Sequence, residues 1–278
     1  SLAFIRDHDA RPVRLAHHPF ALRFLILLQL ILLRWHRHRE EIVRQGLGGM
    51  LGAMVAGVMG GSMLGMSLAW IRQTTVLQGV SIIIVLVCLA VIVSGFGGMG
   101  VSFGMLLVDR VTFRHSRWWA VLGAALGGAF IGGLANWLSG DIYSALFGRE
   151  LHHLTGALEG AMIGVGLALG ARLLESLKMQ TRAWQRVLMA ACGAMSASIL
   201  VSLLGGNLFT GSLAIVTHSF SSSQLQIESL SAWFGEAPLG RTTLTIISAI
   251  EAFLFGATVY GGMELAQHNG AKGLMSGA

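Results

Sequence analysis

Six runs of about 20 mostly apolar residues, separated by short polar or basic segments, constrain this chain more than any other feature. A helix needs about 20 such residues to cross a hydrocarbon core of about 30 Å. The runs at 47–71, 79–108, 119–138, 156–175, 187–206 and 244–266 have that length. They predict an all-α membrane protein of six transmembrane helices. Composition points the same way: the 278 residues are 54% hydrophobic and 12% charged, too little polarity to coat a soluble globule. The second run is long for one perpendicular span, so it should tilt, or bend at Gly95, Gly97 and Gly98. Phe24 to Leu33 is apolar but half the needed length and bracketed by Arg23 and Arg34, which predicts an interfacial helix. The chain thus divides into a juxtamembrane segment (1–45), a six-span domain (46–266) and a tail (267–278).

Loop charges supply an orientation. Lys and Arg are retained on the cytoplasmic side of short loops. They gather in the N-terminal flank (Arg34, Arg37, Arg39, Arg44), the 2–3 loop (Arg110, Arg114, Arg117) and the 4–5 loop (Arg172, Lys178, Arg182, Arg186), whereas the intervening loops carry Arg72, Arg149 and Arg241. The alternation predicts both termini inside. It also assigns the net charge of +6 to membrane-flanking segments, so no nucleic-acid partner is expected and the lipid bilayer is.

Internal similarity organises the spans. Val121 to Gly127 aligns without gaps on Val187 to Gly193 and pairs Trp118 with Trp184. Span 4 aligns on span 6, pairing Glu159 with Glu251, Gly164 with Gly256 and Gly170 with Gly262. In spans 1 and 2, Gly48 and Gly52 match Gly123 and Gly127, and Gly98, Gly100 and Gly104 match Gly164, Gly166 and Gly170. The reading is three glycine-rich parallel hairpins, 46–110, 117–178 and 183–266, each starting and ending inside.

The 38 glycines recur at four-residue intervals, as in Gly57, Gly61 and Gly65, in Gly123 and Gly127, and in Gly156, Gly160 and Gly164, with Gly256 matching Gly164. Such spacing strips one helix face of side chains and lets backbones approach closely in lipid, where no hydrophobic force draws helices together. These positions are expected to pack the bundle.

Glu159 and Glu251 are the intramembrane polar candidates, because a carboxylate within a span is costly and is normally paired, protonated or turned toward water. Two roles stand open for them: hydrogen bonding to neighbouring helices, and handling of protons or cations. The adjacent histidines His17-His18 and His152-His153 lack the i, i+4 spacing of a helical metal site, and Cys88 and Cys192 sit alone in apolar runs. No catalytic constellation, metal site or cofactor is expected. The long 5–6 loop, 207–243, has a mixed apolar and polar stretch around Leu225 to Phe234 suited to a short surface helix, and Asp141 to Arg149 could behave likewise.

The function expected from these features is non-enzymatic: a membrane module that anchors, oligomerises or transmits state for partner subunits or for further soluble domains of a longer chain. The alternative is an ion- or proton-conducting channel or transporter that uses Glu159 and Glu251.

Overall fold

The computed structural model describes residues 20–71, 75–111, 118–147, 156–176, 182–219, 235–236 and 240–276. Among them every regular element is helical: α1 (Phe20–Ile71), α2 (Val76–Val111), α3 (Trp118–Phe147), α4 (Ala157–Ser176), α5 (Ala183–Leu203), α6 (Phe209–Ser219) and α7 (Arg241–Ser276). Five of these, α1, α2, α3, α5 and α7, contain stretches long and apolar enough to cross a membrane. The chain is a multi-pass membrane protein.

Six helices form a closed ring in the order α1, α2, α3, α4, α5, α7, with α7 returning to α1 and each helix packed on its two neighbours. Neighbours are antiparallel, and glycine faces bring their backbones together. A methyl group built on Gly52 or Gly48 of α1 would run into the carbonyl oxygens of Thr258 and Gly262 on α7. Gly127 and Gly123 of α3 meet those of Gly100 and Gly104 on α2 in the same way, and Gly193 of α5 meets Gly166 on α4. Within the other three interfaces Gly57, Gly61 and Gly65 lie on the α2 backbone at Ala90, Val87 and Ile83. Gly132, Gly128 and Ala124 of α3 face Gly156, which immediately precedes α4, and Gly160 and Gly164 within it, and Gly256 of α7 lies on Ala190 and Ala194 of α5. These contacts consume the glycine stripes that the sequence displays.

Alternate helices of the ring, α2, α4 and α7, also touch one another across its axis. By helical spacing residues 97, 101 and 105 share the inner face of α2, 163, 167 and 171 that of α4, and 255, 259 and 263 that of α7. Val101, Leu167 and Val259, and below them Met105, Ala171 and Met263, belong to one buried core with almost no exposed surface. The outward faces carry Leu47, Leu51, Val55, Ile92, Leu126, Leu188 and Ile250, exposed as lipid-facing side chains are. Exposed tryptophans stand at both ends, Trp118 and Trp184 at one, Trp70 and Trp137 at the other. Trp118 and Trp137 are separated along α3 by about 28 Å, close to the hydrocarbon thickness.

Three features depart from the expectations. Phe24 to Leu33 is not a separate interfacial helix but part of α1, a single helix of 52 residues. No glycine or proline interrupts the chain between Phe20 and Gln45, so the hydrogen-bond ladder runs through. Helix α2 runs unbroken through Gly95, Gly97 and Gly98, all three of which are contact positions: Gly95 packs under Met54 and Gly98 against Ala53, both on α1, while Gly97 faces Phe255 of α7. Finally, α3 continues through Asp141 to Phe147, which was expected as connector, and α7 continues into the tail as far as Ser276. The stretch around Leu225 to Phe234 and the pairs His17-His18 and His152-His153 lie outside the described residues.

Candidate functional site

The two carboxylates singled out from the sequence converge on one short element that the apolar-run analysis did not anticipate. Helix α5 ends with Leu204 N–H on the Leu200 carbonyl, and the chain reverses through Gly205, whose φ of +87° is left-handed and favours glycine. Gly206 then donates its N–H to the Val201 carbonyl, and three residues later α6 begins. At 11 residues α6 is far too short to span.

Glu251 holds the start of this helix. Its Oε1 accepts from the hydroxyl of Thr210, and the backbone N–H of Thr210 also donates to the carboxylate. Thr210 is fully buried. A carboxylate from α7 therefore satisfies first-turn donors of α6, where unpaired N–H groups carry partial positive charge. Glu251 Oε2, by contrast, is buried with no hydrogen-bond partner, and so is the hydroxyl oxygen of Ser198 on α5.

Glu159 occupies the approach to the same element. Its Oε2 accepts from the Gly156 N–H at 2.9 Å, capping its own helix α4. Its Cγ and Oε1 lie against Gly206, where a methyl group would meet them at 3.2 Å. The pair read from the sequence is thus brought to the two sides of the α5–α6 turn, each acid at a helix N-terminus. Beyond the turn, Leu213 of α6 shares a buried cluster with Leu64 and Leu68 of α1 and Leu86 of α2, with Phe209 and Ile247 against it. The cluster closes that end of the ring beside α7.

The opposite end carries the ion pairs. Arg110 of α2 binds Glu41 of α1 at 2.7 Å, Arg186 of α5 binds Glu264 of α7 at 3.2 Å, and Arg172 of α4 binds Asp109 of α2 at 2.9 Å. The last pair crosses between two inner helices. Partial burial makes these bonds worth more than open surface pairs. The loop-charge pattern picked out the three arginines but not their acidic partners. Thr210 and Gly206 were missed altogether; the Gly205-Gly206-Asn207 turn followed by a short apolar run was the available signal.

Among the described residues no group of three or more His, Cys, Asp or Glu side chains is gathered as a metal site. No known family model, curated protein or solved structure matches the chain.

Proposed function

We propose that the chain is a six-span membrane module built of three related parallel hairpins, and that it anchors, oligomerises or transmits state for attached soluble domains or partner subunits without catalysing a reaction. The register of the ring supports the hairpin reading. Gly52, Gly127 and Gly193 are mutually aligned, and each lies on the carbonyl of Thr258, Gly100 or Gly166, which are aligned with one another in turn. Helix α4 supplies the sixth span: it stands in the ring between α3 and α5, and its 20 residues reach about 30 Å. The basic end, with Arg110, Arg172 and Arg186, is taken as cytoplasmic.

The observation that carries the function is the filled axis. Val101, Leu167 and Val259 meet there as buried aliphatic side chains, and each intramembrane carboxylate is engaged at a helix N-terminus. A bundle so packed is suited to transmitting force or holding partners, and α1 extends as helix about 32 Å ahead of Glu41, the residue paired to the ring. Two measurements test this. Proteoliposomes containing the chain should show no ion flux above empty vesicles, and cross-linking in native membranes should trap oligomers or partner chains. Flux, or an isolated monomer in the membrane, overturns it.

A second reading, conduction of protons or cations through the Glu159 and Glu251 region, rests on the unpartnered Glu251 Oε2. It requires flux that Glu251→Gln abolishes.

A further inference from the structure

One face of α1 changes character along its length. By helical spacing Arg37, Glu40, Arg44, Leu47, Leu51 and Val55 lie on the side opposite the buried Ile42 and Gly49, and all six are exposed. Leu47, Leu51 and Val55 belong to the lipid-facing surface of the ring. Arg44 stands about 4.5 Å beyond Leu47 along the axis, and Arg37 about 10 Å beyond Arg44. Since the headgroup layer is about 5–8 Å deep on each side of the hydrocarbon, Arg44 falls within it and Arg37 just outside, within the screening length of about 8 Å.

The helix is fixed in this position. Ile42, Gln45 and Gly46 are buried beneath the arginines, Gly46 lies under Phe103 of α2, and Glu41 is bound by Arg110. The acids at this end of the ring have their own cations: Arg110 holds Glu41, Arg172 holds Asp109 and Arg186 holds Glu264. Neither Arg37 nor Arg44 forms an ion pair among the described residues. Glu40 stands between them as one negative charge against two positive, so the face is net basic.

We infer that this face of α1 binds the headgroup of an anionic phospholipid, with Arg44 as the first contact, Arg37 as the second, and the acyl chains along Leu47, Leu51 and Val55. Continuity selects a lipid over an acidic protein segment: the arginines extend, in helical register, the strip that already faces lipid. A bilayer supplies both halves of that surface, hydrocarbon and then headgroup. The inference rests on the membrane setting alone and stands whether or not the anchoring and six-span readings do.

Native mass spectrometry of the full chain, released from micelles doped with phosphatidylglycerol or phosphatidylcholine, tests it. Phosphatidylglycerol should be retained in preference, and Arg44→Gln should lower that preference about five-fold. Adding Arg37→Gln should lower it further, and Glu40→Gln should raise it. Arg39 shares the α2-facing flank of Gly46 and Gly57, so Arg39→Gln should change it less than about two-fold. Raising salt from about 0.15 to 1 M, which shortens the screening length to about 3 Å, should collapse the preference. In the unaltered chain, phosphatidylglycerol with a photoreactive headgroup should label residues 36–51. Equal retention of the two lipids, an unchanged preference in the double variant, a loss in Arg39→Gln as large as in Arg44→Gln, or labelling confined to other segments would each overturn the inference. So would a photoreactive residue in place of Glu40 that captures protein and no lipid in native membranes.

Discussion

Gly104 of α2 and Gly123 of α3 face each other so closely that a methyl group on either would overlap the other's carbonyl oxygen. The attraction across such a contact is van der Waals packing along the whole backbone, and any side chain there pushes the helices apart. Gly104→Val or Gly123→Val is therefore expected to destabilise the ring by about 1–3 kcal/mol. Gly60, with open space around its α-carbon, provides the control. Gly60→Ala should be neutral or gain up to about 1 kcal/mol through helix propensity. Unfolding in detergent followed by circular dichroism distinguishes the two; equal effects would show that glycine content, and not contact, sets stability.

The bond from Thr210 to Glu251 ties α6 to α7 within the protein interior. Thr210→Val keeps the shape but removes the hydroxyl donor, leaving the carboxylate to the backbone N–H alone. A loss of about 1–3 kcal/mol is expected. Hydrogen exchange across 209–219 should accelerate, and Thr210→Ser should restore protection. Unchanged exchange in Thr210→Val would mean that Leu213 and its cluster alone hold α6 in place.

How much of this was legible in the sequence depends on which physical signal each element carries. Spans such as α2 and α3 announce themselves by apolar length, because the bilayer demands it. The glycine faces were legible as faces, but the four-residue spacing does not say which neighbour each will meet; Gly57 turned out to face α2 while Gly52 faces α7. Helix α6 escaped notice because a short helix held against α7 by Thr210 and Leu213 needs neither the length of a span nor the charge pattern of a loop. Glu251 could be singled out by cost alone, whereas its partner Thr210 could not, since a threonine near an apolar run is unremarkable until the fold places a carboxylate beside it. The end of α1 was misread for a related reason: Arg23 and Arg34 bracket an apolar stretch, but charges do not stop a helix that lacks glycine and proline.

Arg172 of α4 and Asp109 of α2 join two of the inner helices of the ring. Both side chains are about a quarter exposed, 22% and 29%, which places the pair between surface and buried cases. A double-mutant cycle with Arg172→Gln and Asp109→Asn should give a coupling of about 1–2 kcal/mol, above the typical surface pair. The same cycle on Arg186 and Glu264 should give a comparable value, since that pair is similarly shielded. A coupling near zero at Arg172 would place the strength of the α2–α4 contact in its apolar layers.

Glu236 lies ahead of α7 and outside the membrane-spanning segments. Its carboxylate accepts from the Thr243 N–H at 3.1 Å and from the Thr243 hydroxyl at 2.7 Å, so it caps the helix from the connecting chain. Hydrogen bonds from Thr242 and Thr243 hold its carboxyl below the ordinary glutamate value of 4.5. Because the folded value is the lower one, the folded state favours the ionised form. The stabilisation is fully present above the unfolded value and disappears as pH falls through the folded one. The start of α7 should therefore loosen on acidification below about pH 4.5. Hydrogen exchange of residues 240–246, corrected for the intrinsic pH dependence of exchange, should lose protection in that window in the wild type. Glu236→Gln should be less protected at neutral pH and show a smaller further loss on acidification. A wild-type profile matching that of Glu236→Gln across the window would show that the cap contributes nothing to the helix start.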